Sequence, residues 1–193
     1  MIDQTIASLT QSGIDVFLVN TAKDAVQKVL ELIPERAEVM TNSSVTIDSI
    51  GLSEILNASG KYNSVKKSLS QMDRKTEGLK MQKLGAAPEY TVGSVHAVTE
   101  DGKIVIASNT GSQLPGYAYA SAHVIWVAGI QKIVPDLDAA FKRIYDYVLP
   151  LESARVKKAY GMEKSNVSKL LVINKEVVPH RLTLILVNET IGF

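Results

Sequence analysis

The 193-residue chain contains no cysteine. This absence excludes disulfide bonds, thiolate zinc sites, iron–sulfur ligation by the chain itself and catalysis by a thiol. The histidines His96, His123 and His180 form none of the short spacings, such as H-x-H or H-E-x-x-H, that bind zinc. No serine stands in a G-x-S-x-G motif, the signature of one large hydrolase class. We therefore expect neither a metal site nor a cofactor intrinsic to this chain.

The chain also lacks a charge excess of one sign and a long apolar run. Its 21 basic and 20 acidic side chains give a net charge of +1, so we expect no nucleic acid and no anionic membrane as partner. The apolar runs are far shorter than the roughly 20 residues of a membrane helix. Residues Met1–Thr10 lack the basic and apolar segments of a secretion signal, which predicts a cytoplasmic protein.

Strand and helix patterns alternate along the first third of the chain. Ile14–Asn20 is rich in β-forming residues, and Asn20-Thr21 can cap the helix that follows. Apolar residues then recur at helical spacing from Ala22 to Ile33. Ala37–Met40 predicts a second strand, and a polar loop from Thr41 leads into a second helix. This alternation predicts a parallel sheet with helices on both faces.

The second half adds a hairpin and further strands. Asp101-Gly102 joins two β-rich runs, which is a strong hairpin signal. A strand "VIWVAG" follows, and then a helix capped by Asp136, interrupted by Pro150 and ended by Gly161. Lys169–Asn174 and Leu182–Asn188 are predicted to complete the sheet. The fold class is therefore α/β, with a mostly parallel sheet and a β-hairpin, in one domain over residues 1–193.

Lys61–Gly85 differs from the rest of the chain. A narrow apolar seam runs through it, and Lys and Arg crowd the remaining surface. It can be a solvated surface helix, inserted in the domain over residues 61–85, or a basic patch that grips phosphate. Interspersed Asp73 and Glu77 dilute the positive charge and favour the surface helix.

Two polar loops follow predicted strands, where open α/β sheets bind their ligands. The first, Thr41–Thr46, has five hydroxyl or amide side chains in six positions, among them Asn42, Ser43, Ser44 and Thr46. Together with the free N–H groups of a helix start, these side chains could hold a phosphate or carboxylate. A simple helix cap, for which one Ser or Thr suffices, is the alternative.

The second polar loop is Ser108–Gln113. Gly111 can adopt a positive φ, and Asn109, Thr110, Ser112 and Gln113 supply polar groups to an anion. A plain connection between two elements is the alternative here. Since both loops follow strands, we expect them to face one crevice.

Three further positions have both a functional and a structural interpretation. Glu100 is the candidate catalytic carboxylate, provided that burial raises its pKa, but it also fits the solvated tip of a hairpin. Glu189 follows the last predicted strand and is either a second such carboxylate or a solvated side chain near the end of the sequence. Trp126 could form an aromatic wall with Tyr117 and Tyr119, or pack in the core.

The segment from Val92 to Ile144, "VGSVHAVTEDGKIVIASNTGSQLPGYAYASAHVIWVAGIQKIVPDLDAAFKRI", resembles the LUD domain, a lactate-utilisation family. Further similar segments are "TNSSVTIDSIGL", "YGMEKSNVSKLLVINKE" and "LILVNETIGF". The resemblance implies an α/β fold of the NagB/RpiA/CoA-transferase type, whose members bind anionic small molecules at strand ends. Some family members carry a cysteine-rich segment where this chain has "YGMEKSNVSKLLV". The chain therefore resembles the cysteine-free, stand-alone branch.

The resemblance implies three alternative functions. The chain can be an accessory or catalytic component of lactate or organic-acid utilisation, with a small anionic metabolite as ligand and iron–sulfur subunits as partners. It can be an independent enzyme or sensor for a phosphorylated or nucleotide-like metabolite. It can also be a non-catalytic assembly subunit, and a homo-oligomer is compatible with each alternative. The family supplies no catalytic residue to transfer, so the sequence leaves open whether the chain is an enzyme.

Overall fold

The computed structural model describes residues 2–193, in which two β-sheets pack with eight α-helices. The strands are β1 Asp15–Val19, β2 Glu38–Thr41, β3 Asn63–Ser64, β4 Tyr90–Gly93, β5 Ala97–Thr99, β6 Ile104–Ser108, β7 His123–Gly129, β8 Ile133–Val134, β9 Lys169–Ile173 and β10 Leu182–Val187. The α-helices are α1 Ile2–Gln11, α2 Ala22–Leu32, α3 Val45–Ser49, α4 Leu52–Ala58, α5 Val65–Ser70, α6 Arg74–Ala86, α7 Leu137–Arg143 and α8 Leu149–Tyr160. Two π-helical segments, Gly116–Ala120 and Ile144–Val148, and a 3-10 turn at Ile130–Lys132 connect them.

The main sheet has six strands in the order β1-β10-β7-β4-β2-β3, and every neighbouring pair is parallel. Two of its inner strands, β7 and β10, are almost entirely apolar and buried, as parallel strands covered on both faces should be. The predicted α/β class with a parallel sheet is therefore confirmed.

A second sheet has the order β8-β5-β6-β9. Its β5 and β6 form the predicted hairpin, in which Ala97 pairs antiparallel with Val105. The placement of Lys169–Asn174 in the main sheet was wrong, because β9 pairs antiparallel with β6 in this second sheet. The short apolar run gives no information about which of two sheets it joins, and its half-exposed residues suit an edge strand.

Alternating residues of the main-sheet strands point into two different cores. Ile125 and Val127 of β7 pack with Val29 of α2 and with α3 and α4 on one face. Val124 and Trp126 point to the other face, where α1 and the second sheet cover them. A third, smaller core lies between the second sheet and α7. The second sheet is thus an inner layer between the main sheet and α7.

The helical region after Asp136 differs from its prediction at one point. Asp136 caps α7, since its carboxylate accepts the Ala139 N–H at 2.8 Å, and Gly161 ends α8 with a φ of 66°. Pro150 was expected to interrupt this region, but the chain stays helical from α7 through the π-helical segment into α8. Pro150 occupies the first turn of α8, where a missing N–H is tolerated.

The segment 61–85 forms two helices rather than one. Ser64 caps α5, and Asp73 caps α6 by accepting the Lys75 N–H at 2.9 Å. No residue of α6 is buried, which agrees with a solvated surface helix. In contrast, β3 adds an edge strand to the main sheet, and α5 brings Lys66 to the cavity described below. None of the helices within residues 2–193 combines the length and apolar character needed to cross a membrane.

The start of α2 provides a first testable prediction. Thr21 Oγ1 accepts the Asp24 N–H, and the Asp24 carboxylate accepts the Thr21 N–H at 3.0 Å, which completes a capping box. We expect Thr21→Ala to lower the free energy of unfolding by about 1 kcal/mol, because an N–H of the first turn loses its partner. Urea denaturation measures this change. Thr10→Ala, which removes an exposed hydroxyl on α1, is the matched control and should change stability by less.

Candidate functional site

A cavity of about 360 Å³ lies where β2, β4 and β7 end, and the segments after these three strands line it. Both polar loops contribute to this cavity. The lining residues among those proposed from the sequence are Asn42, Ser43, Ser44, Thr46, Asn109, Thr110, Ser112 and Gln113. The expected convergence of the two loops is therefore observed, whereas their binding role stays a prediction.

In the first loop, Thr41–Thr46, some polar side chains make no hydrogen bond that would serve the fold. Ser44 occupies the N-cap position of α3, yet its side chain makes no capping hydrogen bond. Asn42 is 8% exposed, and its amide nitrogen has no hydrogen-bond partner among the described residues. A buried donor without a partner costs free energy, which a ligand oxygen would recover. Helix capping thus does not explain this group of polar side chains.

The second loop uses several of its polar groups to hold its own shape. Ser108 Oγ accepts the Gly111 N–H at 2.8 Å and donates to Gln113 Oε1 at 2.9 Å, while Asn109 accepts from Ser168. Gly111 has the anticipated positive φ of 86° but does not line the cavity. The exposed hydroxyls of Thr110 and Ser112 lie 3.2 Å apart. These two hydroxyls are the groups of the loop that remain best placed for a ligand.

Lys132 is the least expected residue of the cavity. It follows β7 in a 3-10 turn that directs its side chain inward, and only 2% of its surface is exposed. Its Nζ lies 2.9 Å from Thr46 Oγ1, 3.0 Å from Ser94 Oγ and 3.1 Å from the Val95 carbonyl oxygen. All three partners are uncharged. Burial first, and then the positive charge of Arg143, lower the pKa of Lys132 to about 7.

His96 lies beside Lys132 and also lines the cavity. Its Nδ1 accepts the Ala107 N–H at 3.1 Å, and its carbonyl oxygen accepts from Arg143 Nε at 3.1 Å. Burial, followed by the charges of Lys132 and Arg143, lowers the pKa of His96 to about 3. The ring is therefore neutral near pH 7. Since Nδ1 accepts, its proton is on Nε2.

Tyr117 closes the cavity toward the core. It is 1% exposed and packs edge to face on Trp126, with ring centroids 5.4 Å apart. Burial raises the pKa of Tyr117 to about 12. Arg181 donates to the Tyr117 carbonyl oxygen at 2.8 Å and is itself paired with Glu176 at 2.7 Å, which fixes the segment that carries the ring. Trp126 is thus a core residue, and Tyr119 is too exposed to form an aromatic wall with it.

Three further charged residues line the cavity. Glu152 and Arg155 of α8 form a bidentate pair, with both N···O distances at 2.7 Å. Lys66 reaches the cavity from α5 and has no carboxylate within salt-bridge distance among residues 2–193. Because the one acidic side chain of the lining is neutralised by Arg155, the cavity has a positive character.

The comparisons with known proteins agree with this architecture. The family model of the LUD domain matches residues 2–187. The chain belongs to the LUD domain family. A crystal structure of a DUF162 family protein from Deinococcus radiodurans is similar to it, with a TM-score of 0.58 and 12% sequence identity over 97% of this chain and 96% of that one. That likeness shows a shared fold. Among curated proteins, none matches this chain.

Glu100 of this LUD domain lies away from the cavity. It follows β5, and its backbone N–H donates to the Val134 carbonyl oxygen at 2.9 Å. With Gln4 and Lys175 it borders a separate, shallow depression. The structure therefore does not bring Glu100 to the polar loops, and its catalytic role stays a prediction without geometric support. Glu189 has a structural role, since its carboxylate accepts the Ala22 N–H at the start of α2.

The remaining histidines of the LUD domain have structural contacts. The His123 ring stacks on Tyr90 with centroids 4.6 Å apart, and His180 Nδ1 lies 2.9 Å from the Asp15 carboxylate. Within residues 2–193, no group of three or more His, Cys, Asp or Glu side chains is placed to share a metal ion.

The sequence did not point to Lys132 or Ser94, and it gave His96 a structural role in packing or a single hydrogen bond, with metal binding as the functional alternative. A signal for Lys132 is present: a single lysine stands in the apolar run "VAGIQKIV" directly after the central strand. Lysine is almost never fully buried unless it is paired. Such a position is usually interpreted as a solvated side chain at a strand end, and only the turn geometry shows that it points inward.

Proposed function

We propose that this LUD domain binds a small organic-acid anion in the cavity between its two polar loops. The observation that carries the proposal is Lys132, a buried lysine with no carboxylate partner at the floor of a polar cavity. A buried charge is expensive unless it is paired. An anionic ligand would supply the missing negative charge.

Hydrogen-bond direction indicates how the anion would be held. A protonated Lys132 has three N–H donors, and Thr46, Ser94 and Val95 supply the three acceptors. The Ser94 hydroxyl can then direct its own proton into the cavity toward a ligand oxygen. The unpaired Asn42 amide offers a further donor nearby. Binding an anion stabilises the protonated lysine, so it raises the Lys132 pKa and is favoured below about pH 7.

The test is calorimetric titration with a panel of carboxylates, beginning with lactate and pyruvate, at pH 6.0 and pH 8.5. We expect the affinity to be higher at the lower pH and to fall at least tenfold in Lys132→Met, which removes the buried positive charge that attracts the anion. Lys80→Met, which removes an exposed lysine of α6, is the matched control and should bind as the wild type does. Equal affinity of the Lys132→Met variant would contradict the proposal.

Substitutions in the second polar loop should reduce the affinity for the anion less than Lys132→Met does. We expect Ser112→Ala to weaken anion binding by about 1 kcal/mol, because one neutral hydrogen bond to the ligand is lost. Thr110→Ala should have a similar effect, since the two hydroxyls lie 3.2 Å apart. Titration of both folded variants with the best carboxylate of the panel measures this. Unchanged affinity in both would leave Ser108–Gln113 as a connection only.

A phosphorylated or nucleotide-like metabolite is the second candidate. A cavity of about 360 Å³ is in the range that drug-sized ligands occupy, and a three-carbon acid would fill only part of it. Lys66, which also lines the cavity, could pair with a phosphate. Thermal-shift measurements with sugar phosphates and nucleotides test this candidate, and Lys66→Met should weaken phosphate ligands more than lactate.

We further propose that the protein serves lactate or related organic-acid utilisation in the cytoplasm, with iron–sulfur subunits as partners. Family membership supports this. Since this chain has no cysteine, an electron-transfer cluster would have to come from another chain. Co-purification from its native cell with analysis of bound proteins and iron tests the assignment. Recovery of a partner, together with no binding of any carboxylate or phosphate ligand, would favour a non-catalytic assembly subunit. Light scattering would show whether the chain is a homo-oligomer.

A further inference from the structure

Ser94 and Lys132 form a hydroxyl–amine pair in the cavity, with Ser94 Oγ 3.0 Å from Lys132 Nζ. We propose that Ser94 is a nucleophile for acyl transfer from an ester of a small carboxylic acid, with Lys132 as its general base. Ser94 directly follows β4, is half-buried and lines the cavity, so a substrate can reach its hydroxyl. Pairs of serine and lysine are a known solution to serine activation.

Hydrogen bonding around the neutral amine favours this role. An uncharged lysine has two N–H donors and one lone pair, and the Val95 carbonyl can only accept. One hydroxyl therefore takes the second N–H, and the other can donate to the lone pair. Of the two hydroxyls, Thr46 is only 2% exposed and lies deeper. The other acceptor that the Ser94 hydroxyl could choose, the Val95 carbonyl oxygen, is 3.4 Å away and therefore farther than the lysine nitrogen. Ser94 is thus the hydroxyl that a ligand can reach and the amine can activate.

Burial, and then the positive charge of Arg143, lower the pKa of Lys132 and keep part of it in the free-amine form near neutral pH. Two groups act on Lys132 through their charge, Arg143 and, when it is protonated, His96. The other titratable groups that line the cavity are Lys66, the Glu152–Arg155 pair and neutral Tyr117. The only acidic side chain that lines the cavity among residues 2–193, Glu152, is already bound to Arg155. Since burial brings the Lys132 pKa to about 7, the base is available above that pH.

Asn42 offers a donor for the negative charge that develops on the acyl oxygen. Its backbone N–H bonds to the Val92 carbonyl oxygen at 2.9 Å, which places it beside the end of β4, and both Asn42 and Ser94 line the cavity. Its amide is close enough to Tyr117 to influence that hydroxyl, yet its nitrogen has no partner with hydrogen-bond geometry. Donors placed in advance for a developing oxyanion are a large source of rate acceleration.

The proposed reaction is ester hydrolysis in two steps. Ser94 Oγ forms a bond to the acyl carbon, its proton passes to Lys132 Nζ, and the ester C–O bond breaks as the leaving alkoxide takes that proton from the lysine. Water then attacks the acyl-serine and gives a proton to Lys132, which returns it to Ser94. The products are an alcohol and a carboxylic acid. The inference rests on the proposed function in one respect, namely that this acid belongs to the class of anions proposed to bind in the cavity.

Reaction with p-nitrophenyl acetate tests the pair. At pH 8.5 we expect release of nitrophenolate, with one acetyl group on the peptide containing Ser94 by mass spectrometry. Ser94→Ala and Lys132→Met should each lower the rate at least about 100-fold, the scale of general-base catalysis. The rate of the wild type should rise with pH and level off above about 8. Ser59→Ala and Lys80→Met, which remove an exposed hydroxyl and an exposed amine, are the matched controls.

Several outcomes would overturn the proposal. These are acetylation of Lys132 instead of Ser94, a rate unchanged in Ser94→Ala, or no acetyl-serine at any pH. Circular dichroism of each variant separates lost chemistry from lost folding, and Lys132→Gln serves if the methionine variant does not fold. The two proposals fail separately, because anion binding requires protonated Lys132 and low pH, whereas acylation requires the free amine and high pH.

Discussion

We expect the free energy of unfolding to rise by about 2 kcal/mol between pH 7 and pH 9, because one buried lysine gives up its proton on folding. The pKa of Lys132 is about 7 in the folded protein, against 10.5 for an unperturbed lysine. In this pH window the unfolded chain keeps a proton that the folded chain has lost. Stability rises with pH wherever the unfolded state binds more protons, with a slope of up to about 1.4 kcal/mol per pH unit.

Other titrating groups act outside this window. The pKa of His96 is lowered to about 3, so His96 destabilises the folded protein only as the pH falls below about 6.5, where the unfolded chain takes up its proton. The raised pKa values of Tyr62, Tyr90 and Tyr117 matter above about pH 10. Arg143, the cation that acts on Lys132, stays charged throughout. The slope between pH 7 and pH 9 therefore reports Lys132.

Urea denaturation at pH 7, 8 and 9 measures this effect. Lys132→Met removes the titrating group and should remove the slope, whereas Lys80→Met should retain it because Lys80 is exposed. A wild-type stability that is constant or falls from pH 7 to pH 9 would contradict a lowered lysine pKa. A slope that persists in Lys132→Met would assign it to another group.

We expect Gly93→Ala to destabilise the protein by about 3 kcal/mol, through a clash at the edge of the cavity. A Cβ at position 93 would overlap the Tyr117 hydroxyl oxygen. Tyr117 cannot move away easily, because its ring packs on Trp126 and Arg181 fixes its backbone. In a strand without this contact the same substitution would be neutral or stabilising, since glycine is unfavourable there.

Tyr117→Phe in the Gly93→Ala background tests the cause. Removal of the hydroxyl leaves the ring carbon Cζ at 3.2 Å from the Cβ position, which is tight but can be relieved by a small shift. We expect the double variant to regain at least half of the lost stability in urea denaturation. Gly78→Ala is the matched control, because its Cβ meets nothing and alanine should stabilise α6 by about 1 kcal/mol. Equal losses in the single and double variants would exclude the hydroxyl clash.

Local patterns were sufficient for much of the fold. The apolar runs of β1 and β10 predict strands, Thr21 and Asp136 predict helix starts, and Asp101-Gly102 predicts the hairpin. These features depend on contacts within a few residues, which the sequence shows directly. The family resemblance agrees with the LUD domain match over residues 2–187.

Convergence of the two polar loops was predicted from the sequence by an argument that applies to only one of them. The first loop follows a strand of the parallel sheet, and the carboxyl ends of such strands share one edge. The second loop follows β6 of the other sheet, and it reaches the same cavity because that sheet packs on the face of the first. The two loops therefore meet as expected, although only the first of them lies at the carboxyl edge of the parallel sheet, which was the reason for the expectation.

The sequence by itself determined the α/β class, the presence of a mostly parallel sheet and the candidate loops, because these follow from periodicity and composition. Tertiary structure alone decided that β9 joins the second sheet, that Glu100 faces away from the cavity and that Lys132 points into it. The local sequence of a strand does not determine which sheet it joins, and a polar side chain at a strand end can point either into a cavity or into solvent. The packing of the two sheets around the cavity settles each choice, since only that packing sets which side chains lose contact with water.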